Sequence, residues 1–323
     1  MAVAKVGIVV GRERSFPDAL IAEVARRDAG VVAEYARIDL TRVGAPVGYE
    51  VLVDRISHEI TCYQPVLKLA ALAGKRVVND PFWRIADDKA VDVALAARAG
   101  VAVPKTWVLP SKSYGEDTSS ASLSNLAYPL DWEGMIADLG LPLYVKPHWG
   151  GGFRDVSRVT SLEDLFRVYD RSGRLTLIAQ EEISWAQYVR CIVVGRTEVR
   201  PALWDPRLGH FDRYVKAGES MPPLSPELEA RIVSDARTLC EILGYDMNTV
   251  EFAVRDGVPY AIDFMNSAPD FDLSSLGPSH FPWVVEKMAE LVIRLAKEPP
   301  GDPVALGRAA PGSGRLPAAG RPR

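Results

Sequence analysis

Short apolar runs bounded by glycine or charge alternate along the first part of the chain with longer stretches whose apolar residues return every three or four positions. Lys5 to Val10 reads as a buried strand ending at Gly11, Pro17 to Asp28 as a helix, and Val31 to Ile38 as a second strand. Tyr49 to Val53 is a third strand, which empties into "DRISHE". Gln64 to Ala73 is predicted as a helix stopped by Gly74, and Arg76 to Val78 as a short strand. Strands that alternate with helices imply a parallel, doubly wound sheet. Residues 1–86 are therefore expected to form an N-terminal αβα domain.

The pattern then changes. Asp87 to Ala99 is predicted as a helix with Gly100 at its C-terminal cap, followed by a strand over Val101 to Pro110. Residues 111–131 are rich in Ser, Asp and Asn with little periodicity and read as an insertion or flap. Trp132 to Leu139 and Leu162 to Tyr169 are predicted helices. Leu143 to Lys146, Val156 to Val159, Leu175 to Gln180 and Tyr188 to Val194 are predicted strands. Pro226 to Leu243 carries Pro at its first turn and Gly244 at its end, both helix-boundary signals. Val250 to Val254 and Tyr260 to Phe264 are expected to pair as a hairpin, and Ser279 to Ala296 to form the last helix. Domain divisions are expected at 87–179, 180–297 and a Pro-, Gly-, Ala- and Arg-rich disordered tail over 298–323.

Composition narrows the function classes. The 323 residues are 48% hydrophobic and 25% charged with a net charge of −4, the profile of an ordinary soluble protein. Mild acidity argues against a nucleic-acid binder. The longest apolar runs are too short to span a bilayer. No basic region followed by a long apolar stretch opens the chain, so a cytoplasmic protein without a membrane partner is expected. Cys62, Cys191 and Cys240 are widely separated and have neither metal-ligand nor disulfide-framework spacing.

In "VEFAVRDGVPYAIDF", residues 250–264, alternation places Val250, Phe252 and Val254 on one face and Tyr260, Ile262 and Phe264 on one face. A two-residue turn at Asp256-Gly257 would pair Val250 with Asp263 and mix charge into the apolar face. A three-residue loop, Arg255-Asp256-Gly257, gathers all six apolar residues on one side and sets Glu251 beside Asp263, so that loop is the expectation. Two carboxylates on one face repel unless a cation lies between them. Either the face is wet and each acid pairs with an arginine, or it is a magnesium site, with Asn266 able to add an amide oxygen.

"YVKPHWGGGFRDVSRV" sets Lys146 at a strand end before Gly150, Gly151 and Gly152, and a second strand follows. A glycine hairpin of this kind can lay N–H groups over phosphates, although ordinary glycine-rich hairpins are also common. It is not a P-loop, because no GK[ST] follows and a strand replaces the helix. Lys89 lies in the first turn of a helix, where a cation opposes the helix dipole; a nearby anion or a plain surface position would each account for it. Gln180-Glu181-Glu182-Ile183 joins two strands and can present backbone groups to an adenine edge.

Taken in order, "DDK" with "GVAVPKT", "YVKP" with the glycine loop, "AQEEI", "YVRCIVVG" and "VEFAV…AIDFMN" resemble the ATP-grasp superfamily of carboxylate–amine ligases, especially its glutathione synthetase and RimK-like branch. The resemblance runs from about Lys5 to Ala296. It implies an α/β chain, α+β in its catalytic part, with an ATP-grasp fold behind an N-terminal Rossmann-like parallel αβα domain. It also implies ATP and magnesium, two ions, with manganese as a substitute. Lys89, Lys146 and the glycines would contact phosphates, Gln180 to Ile183 the adenine and ribose, and Glu251, Asp263 and Asn266 the metal. Arg190, the Arg of the family's "D-x-R" strand, and Arg213 would face the phosphates or acyl group.

The chain departs from the family pattern in two places. Tyr188 stands where the "D-x-R" element has an acid, so a ribose contact has to come from Glu181 or Glu182. The closing acid-x-Asn is one residue longer here, Asp263-Phe-Met-Asn266, so either a bulge turns Asn266 inward or one ligand is lost.

The implied reaction is amide-bond formation through an acylphosphate, on an amino acid or small peptide carboxylate with an amine as second substrate; a homodimer is compatible with the resemblance. The same scaffold hosts kinase-like phosphotransferases, and a nucleotide-binding regulator without turnover would keep the same motifs. Ligands of open parallel sheets sit beyond the carboxyl ends of the strands. This nominates Arg12, Arg55, His58 and Glu59 for an anionic substrate, with solvated loop charge as the plain alternative. His148 and Trp149 are candidates for shaping the pocket or for packing at the loop base.

Overall fold

The computed structural model describes residues 3–82, 88–151 and 154–299, and those residues fall into two compact units that divide after Ala86 and after Ser184. Gly152 and residues 300–323, which hold nearly all of the expected tail, lie outside the described residues.

The first unit begins with β1 (Ala4–Val9), α1 (Ser15–Arg26), β2 (Val31–Tyr35), β3 (Val51–Asp54), α2 (Tyr63–Leu72) and β4 (Arg76–Val78). The strands pair in parallel in the order β2-β1-β3-β4, as their alternation with helices predicts. The unit resumes with β9 (Gln187–Val194), β10 (Glu198–Leu203), α6 (Ala217–Ser220), α7 (Pro226–Leu243), β11 (Met247–Arg255), β12 (Val258–Asp263) and α8 (Leu273–Lys297). These strands form a wholly antiparallel sheet, β10-β9-β11-β12. Sequence periodicity missed β10: Arg200 and Pro201 interrupt its alternation, and a proline is tolerated there because β10 is an edge strand. α8 begins at Leu273, nearly two turns earlier than predicted, and breaks at Gly277, whose φ of 63° is left-handed. Its apolar face packs with β1, β3 and α1 in one core, to which Ile192, Val194 and Met247 of the antiparallel sheet also belong. The N-terminal sheet therefore shares its core with the C-terminal part of the chain.

Asn79 fastens this arrangement. Its side chain accepts from the Met247 amide at 2.8 Å and donates to the Met247 carbonyl at 2.7 Å, with a further bond to the Ser267 carbonyl at 3.1 Å. The amide group thus acts as one more strand residue against the first residue of β11.

The second unit holds α3 (Lys89–Arg98), β5 (Thr106–Leu109), α4 (Trp132–Leu139), β6 (Leu143–Pro147), β7 (Ser157–Val159), α5 (Leu162–Arg171) and β8 (Leu177–Glu181). Its sheet is antiparallel in the order β5-β8-β6-β7. Leu143, Val145, Leu177 and Ala179 form one face and pack with Met135, Leu139, Leu165 and Tyr169 of α4 and α5. The cross-strand partners Tyr144–Gln180 and Lys146–Ile178 have the opposite parity and lie on the other face. The Ser-rich segment 111–131 carries one 3-10 turn, Ser120–Leu123. Its start is held on α5 by Tyr169, whose hydroxyl donates to the Ser111 carbonyl, and by the Lys112–Asp170 pair. No helix among the described residues is long and apolar enough to cross a membrane, and all three cysteines are free.

Replacing Asn79 by Ala strands the buried N–H and C=O of Met247. Chemical denaturation is expected to show a loss of roughly 2–4 kcal/mol, with the denaturant slope unchanged.

Candidate functional site

The β11–β12 hairpin departs from the expected loop. Asp256 and Gly257 alone form the turn, at φ of 54° and 75°, so that Arg255 pairs with Val258 and Val254 with Pro259. Two residues at positive φ match the twist of the flanking strands, and Asp and Gly are the residues that tolerate them. The parity problem is resolved elsewhere. The register shifts between Glu251 and Phe252, leaving Ile262 without a partner, and Glu251 then faces Asp263. The expected neighbours are obtained through a bulge in β12 and not through an odd loop. Beyond the bulge Tyr260 pairs with Ala253, so it shares the Glu251 face, where the Arg255 guanidinium lies 4.6 Å from its ring centre.

Glu251 also pairs with Arg190 of β9, and both are almost fully buried. Tyr188, two residues earlier on the same face, donates its hydroxyl to Glu251 Oε2 at 2.8 Å. Arg190 Nε lies 3.5 Å from Glu251 Oε1, and its Nη2 donates to Thr249 Oγ1 at 3.1 Å. Burial raises the Glu251 carboxyl from its ordinary 4.5 to about 7; Asp263 adds to this, while Arg190, Tyr188 and Arg213 oppose it. Burial and the neighbouring Glu251 push the Tyr188 hydroxyl well above its ordinary range, so it stays a donor.

The segment after β12 is positioned by a buried asparagine. Asn248 donates to the Phe264 carbonyl at 2.8 Å and accepts from the Asn266 amide at 2.9 Å. Asn266 Nδ2 in turn donates to the Thr249 carbonyl at 2.9 Å, which leaves its oxygen as the group for a ligand. Glu251 and Asp263 are cross-strand neighbours, and Glu, Asp and Asn offer oxygen donors of the kind a hard dication takes. Among the described residues no cluster of three or more His, Cys, Asp or Glu forms a complete protein cage.

In the second unit Asp88 caps α3 by accepting from the Ala90 and Val91 amides, and its other oxygen lies 3.2 Å from His148 Nδ1. The Lys89 amide donates to the His148 carbonyl at 2.9 Å, and the Lys89 ammonium donates to the Gly150 carbonyl. The start of α3 and the glycine loop are therefore tied together, with Lys146 half-buried on the adjoining strand. A Cβ added at Gly150 or Gly151 would meet nothing, and Gly150 has a φ of 102°. Gly150 and Gly151 are exposed, as is Trp149 beside them. His148 belongs to the base of the loop.

Gln180 is buried and donates to Thr106 Oγ1 at 3.0 Å, the Glu181 amide donates to the Lys105 carbonyl at 3.0 Å, and Ile183 is buried. Glu182 receives a two-pronged pair from Arg158 of β7 at 2.8 and 2.9 Å.

The residues nominated at the carboxyl ends of the parallel strands are not alike. Arg12 is exposed, and His58 lies 3.6 Å from Glu59, both on the surface. Arg55 is packed over the rings of Phe16 and Phe271 and donates to the Pro269 carbonyl at 2.7 Å. Its position is that of a brace on the segment after Asn266. Arg213 lies 5.2 Å from the centre of the Trp204 ring and donates to the Leu208 carbonyl at 3.2 Å. Thr249, Asn248, Arg158 and Trp204 escaped the sequence reading. The one usable signal was Asn248-Thr249, a polar pair within a run that is otherwise apolar up to Glu251.

The fold recurs in known proteins. No family model matches the chain. The D-alanine–D-alanine ligase of Ralstonia nicotianae is 26% identical over 259 residues, 72% of this chain and 77% of that protein. The RimK-domain ATP-grasp protein of Sphaerobacter thermophilus superposes with a TM-score of 0.62 at 21% identity, over 90% of this chain and 100% of that one. A Bacillus anthracis D-alanine–D-alanine ligase solved with ATP superposes with a TM-score of 0.60 at 15% identity, over 91% of this chain and 96% of that one. The fold is the ATP-grasp fold.

A carboxyl raised to about 7 makes metal-free folding pH-dependent. Its contribution is complete below pH 4.5, where both states are protonated, and is lost as pH rises to about 7, because the unfolded chain ionises first. The loss is expected to be roughly 3 kcal/mol. Glu251→Gln should flatten this part of the stability profile, read by thermal denaturation in chelator from pH 4.5 to 8 against wild type.

Proposed function

We propose that the protein is an ADP-forming carboxylate–amine ligase that works through an acylphosphate, with an amino acid or small peptide as the carboxylate substrate. The observation that carries this reading is the Glu251–Asp263 pair facing Arg190 on one sheet: two carboxylates for a metal, with a buried guanidinium beside them. The sequence relatives and the fold add the class of chemistry, since the matching proteins are ligases of this kind by name.

Lys89 and Lys146 are assigned to ATP phosphates, under the N–H groups of Gly150 and Gly151. Gln180, Glu181 and Ile183 are assigned to the adenine and ribose. The ribose contact goes to Glu181, because Glu182 is engaged by Arg158. Glu251, Asp263 and Asn266 would hold magnesium, which when bound neutralises charge on the transferring phosphoryl group. Arg190 then stabilises negative charge on the acyl group; its Thr249 and Glu251 contacts fix its direction before substrate arrives, so little reorganisation is needed. The Lys89–Gly150 contact lets the glycine loop report on phosphate binding: a phosphate that draws Lys89 away releases the loop to close and exclude water, which would otherwise hydrolyse the acylphosphate. Phosphoryl transfer of this type asks for positioning and charge neutralisation more than for covalent chemistry by the protein.

The test is ADP release with ATP and magnesium against a panel of amino acids and small peptides, with products identified by mass. ADP formation that depends on both a carboxylate and an amine, with an amide product, is expected. ADP formed with no amine requirement would assign a phosphotransferase instead. Lys146→Ala and Asp263→Ala should each abolish turnover; activity retained in both would remove the site.

A further inference from the structure

Beside Arg190 the first unit contains a second group of side chains that the motifs do not mention. Trp204 follows β10 and extends its pairing, its amide donating to the Tyr188 carbonyl at 2.9 Å. The chain then loops away and returns: the Asp205 amide donates to the Arg213 carbonyl at 3.0 Å, which brings Arg213 and Tyr214 back onto the Trp204 ring. Two guanidiniums approach that ring, Arg190 with its carbon 5.1 Å from the centroid and Arg213 at 5.2 Å. Tyr188 and Tyr214 complete the surround, at 5.6 and 6.5 Å between ring centres.

Three donors of this group are unmet. Trp204 is 1% exposed and Arg190 6% exposed. Trp204 Nε1, Arg190 Nε and the Tyr214 hydroxyl are all shielded from solvent, and none makes a hydrogen bond. Other donors nearby are already used: the Tyr188 hydroxyl on Glu251 and Arg190 Nη2 on Thr249. A single buried unpaired donor costs on the order of 1–3 kcal/mol, and three around one guanidinium are uncommon in a fold with no use for them. The cluster has two cationic groups and two neutral donors, an arrangement that complements an oxyanion. Burial raises the Tyr214 hydroxyl to about 12, with Arg190 opposing, so it remains a donor through the neutral range.

We propose that Trp204 Nε1 and the Tyr214 hydroxyl are binding groups that, with Arg190 and Arg213, form an oxyanion subsite for the substrate carboxylate or for the phosphoryl group it acquires. This rests on the ligase reading for the identity of the oxyanion, but the subsite is testable without turnover. The two neutral donors give hydrogen bonds without extra charge, so the subsite is suited to a planar carboxylate as well as to a tetrahedral phosphate.

The experiment follows the indole N–H resonance of Trp204, assigned as the signal missing from the spectrum of Trp204→Phe. The wild-type protein, free of ATP, is titrated in separate arms with acetate, with inorganic phosphate and with sodium chloride at matched ionic strength. A downfield, saturable shift with acetate or phosphate and none with chloride is expected. The arm that moves it at lower concentration identifies which group of the substrate docks there. Tyr214→Phe, which keeps the ring and removes the hydroxyl, should weaken that binding about tenfold. A resonance that follows only chloride, or an affinity unchanged in Tyr214→Phe, overturns the proposal. ADP release in the turnover assay with no shift here would sink this subsite and leave the ligase reading standing; a shift with no ADP release would do the reverse.

Discussion

The candidate centre depends on keeping one carboxylate, Glu251, inside a β-sheet. Burying an ionised carboxylate is costly unless donors surround it, and the chain supplies two, a tyrosine hydroxyl on one oxygen and a guanidinium near the other. Even so the carboxyl stays raised, to about 7, because burial outweighs Arg190 and Tyr188, and Asp263 works in the same direction as burial. A site held in that state favours a cation: metal binding would relieve the carboxylate repulsion that folding creates. Tyr188, the departure from the family's acidic residue, fits this balance. A third acid on the same face would have added repulsion where the tyrosine adds a hydrogen bond.

The placement of Asp263 and Asn266, the second and third of the proposed metal ligands, is a matter of backbone. A two-residue turn and a strict ladder would have set Asp263 opposite Val250, on the apolar face against α7. The bulge at Ile262 turns the end of β12 over, and Asn248 then holds Phe264 and Asn266 from a neighbouring strand. The extra residue between Asp263 and Asn266 is accommodated in that way. The chain leaves the ladder after Asp263 and is carried by side-chain amides, so strict alternation no longer decides which way residue 266 points. Asn79 and Arg55 do the same for the segment that follows, binding the carbonyls of Ser267 and Pro269.

What could be read from the sequence and what could not follow from the same distinction. The parallel strands, and the helix bounded by Pro226 and Gly244, follow from periodicity and boundary residues, and they were legible. The Glu251–Asp263 adjacency was legible too, but for the wrong reason: alternation demanded that the parity be broken somewhere and gave no information on where. The positive φ available to Asp256 and Gly257 together made the turn even and moved the break into β12. β10 was lost because Arg200 and Pro201 do not look like a strand, although an edge position permits both. Asn79, Asn248 and Trp204 act through contacts 168, 16 and 16 positions away along the chain, and no local pattern registers such pairs.

Arg190 is where these threads meet, and its surroundings explain why a single motif position is insufficient to define the site. One side of its guanidinium is fixed by Thr249 and faces Glu251, which orients it without neutralising it fully, since the closest ion-pair distance is 3.5 Å. The other side faces the Trp204 ring, a polarizable surface 5.1 Å away at its centre. A guanidinium held in this way retains unsatisfied hydrogen-bonding capacity in a dry environment, where an anion is bound more strongly than in water. Folding fixes the cation's direction and leaves its charge incompletely met, and that is the property a binding site for a reacting oxyanion requires.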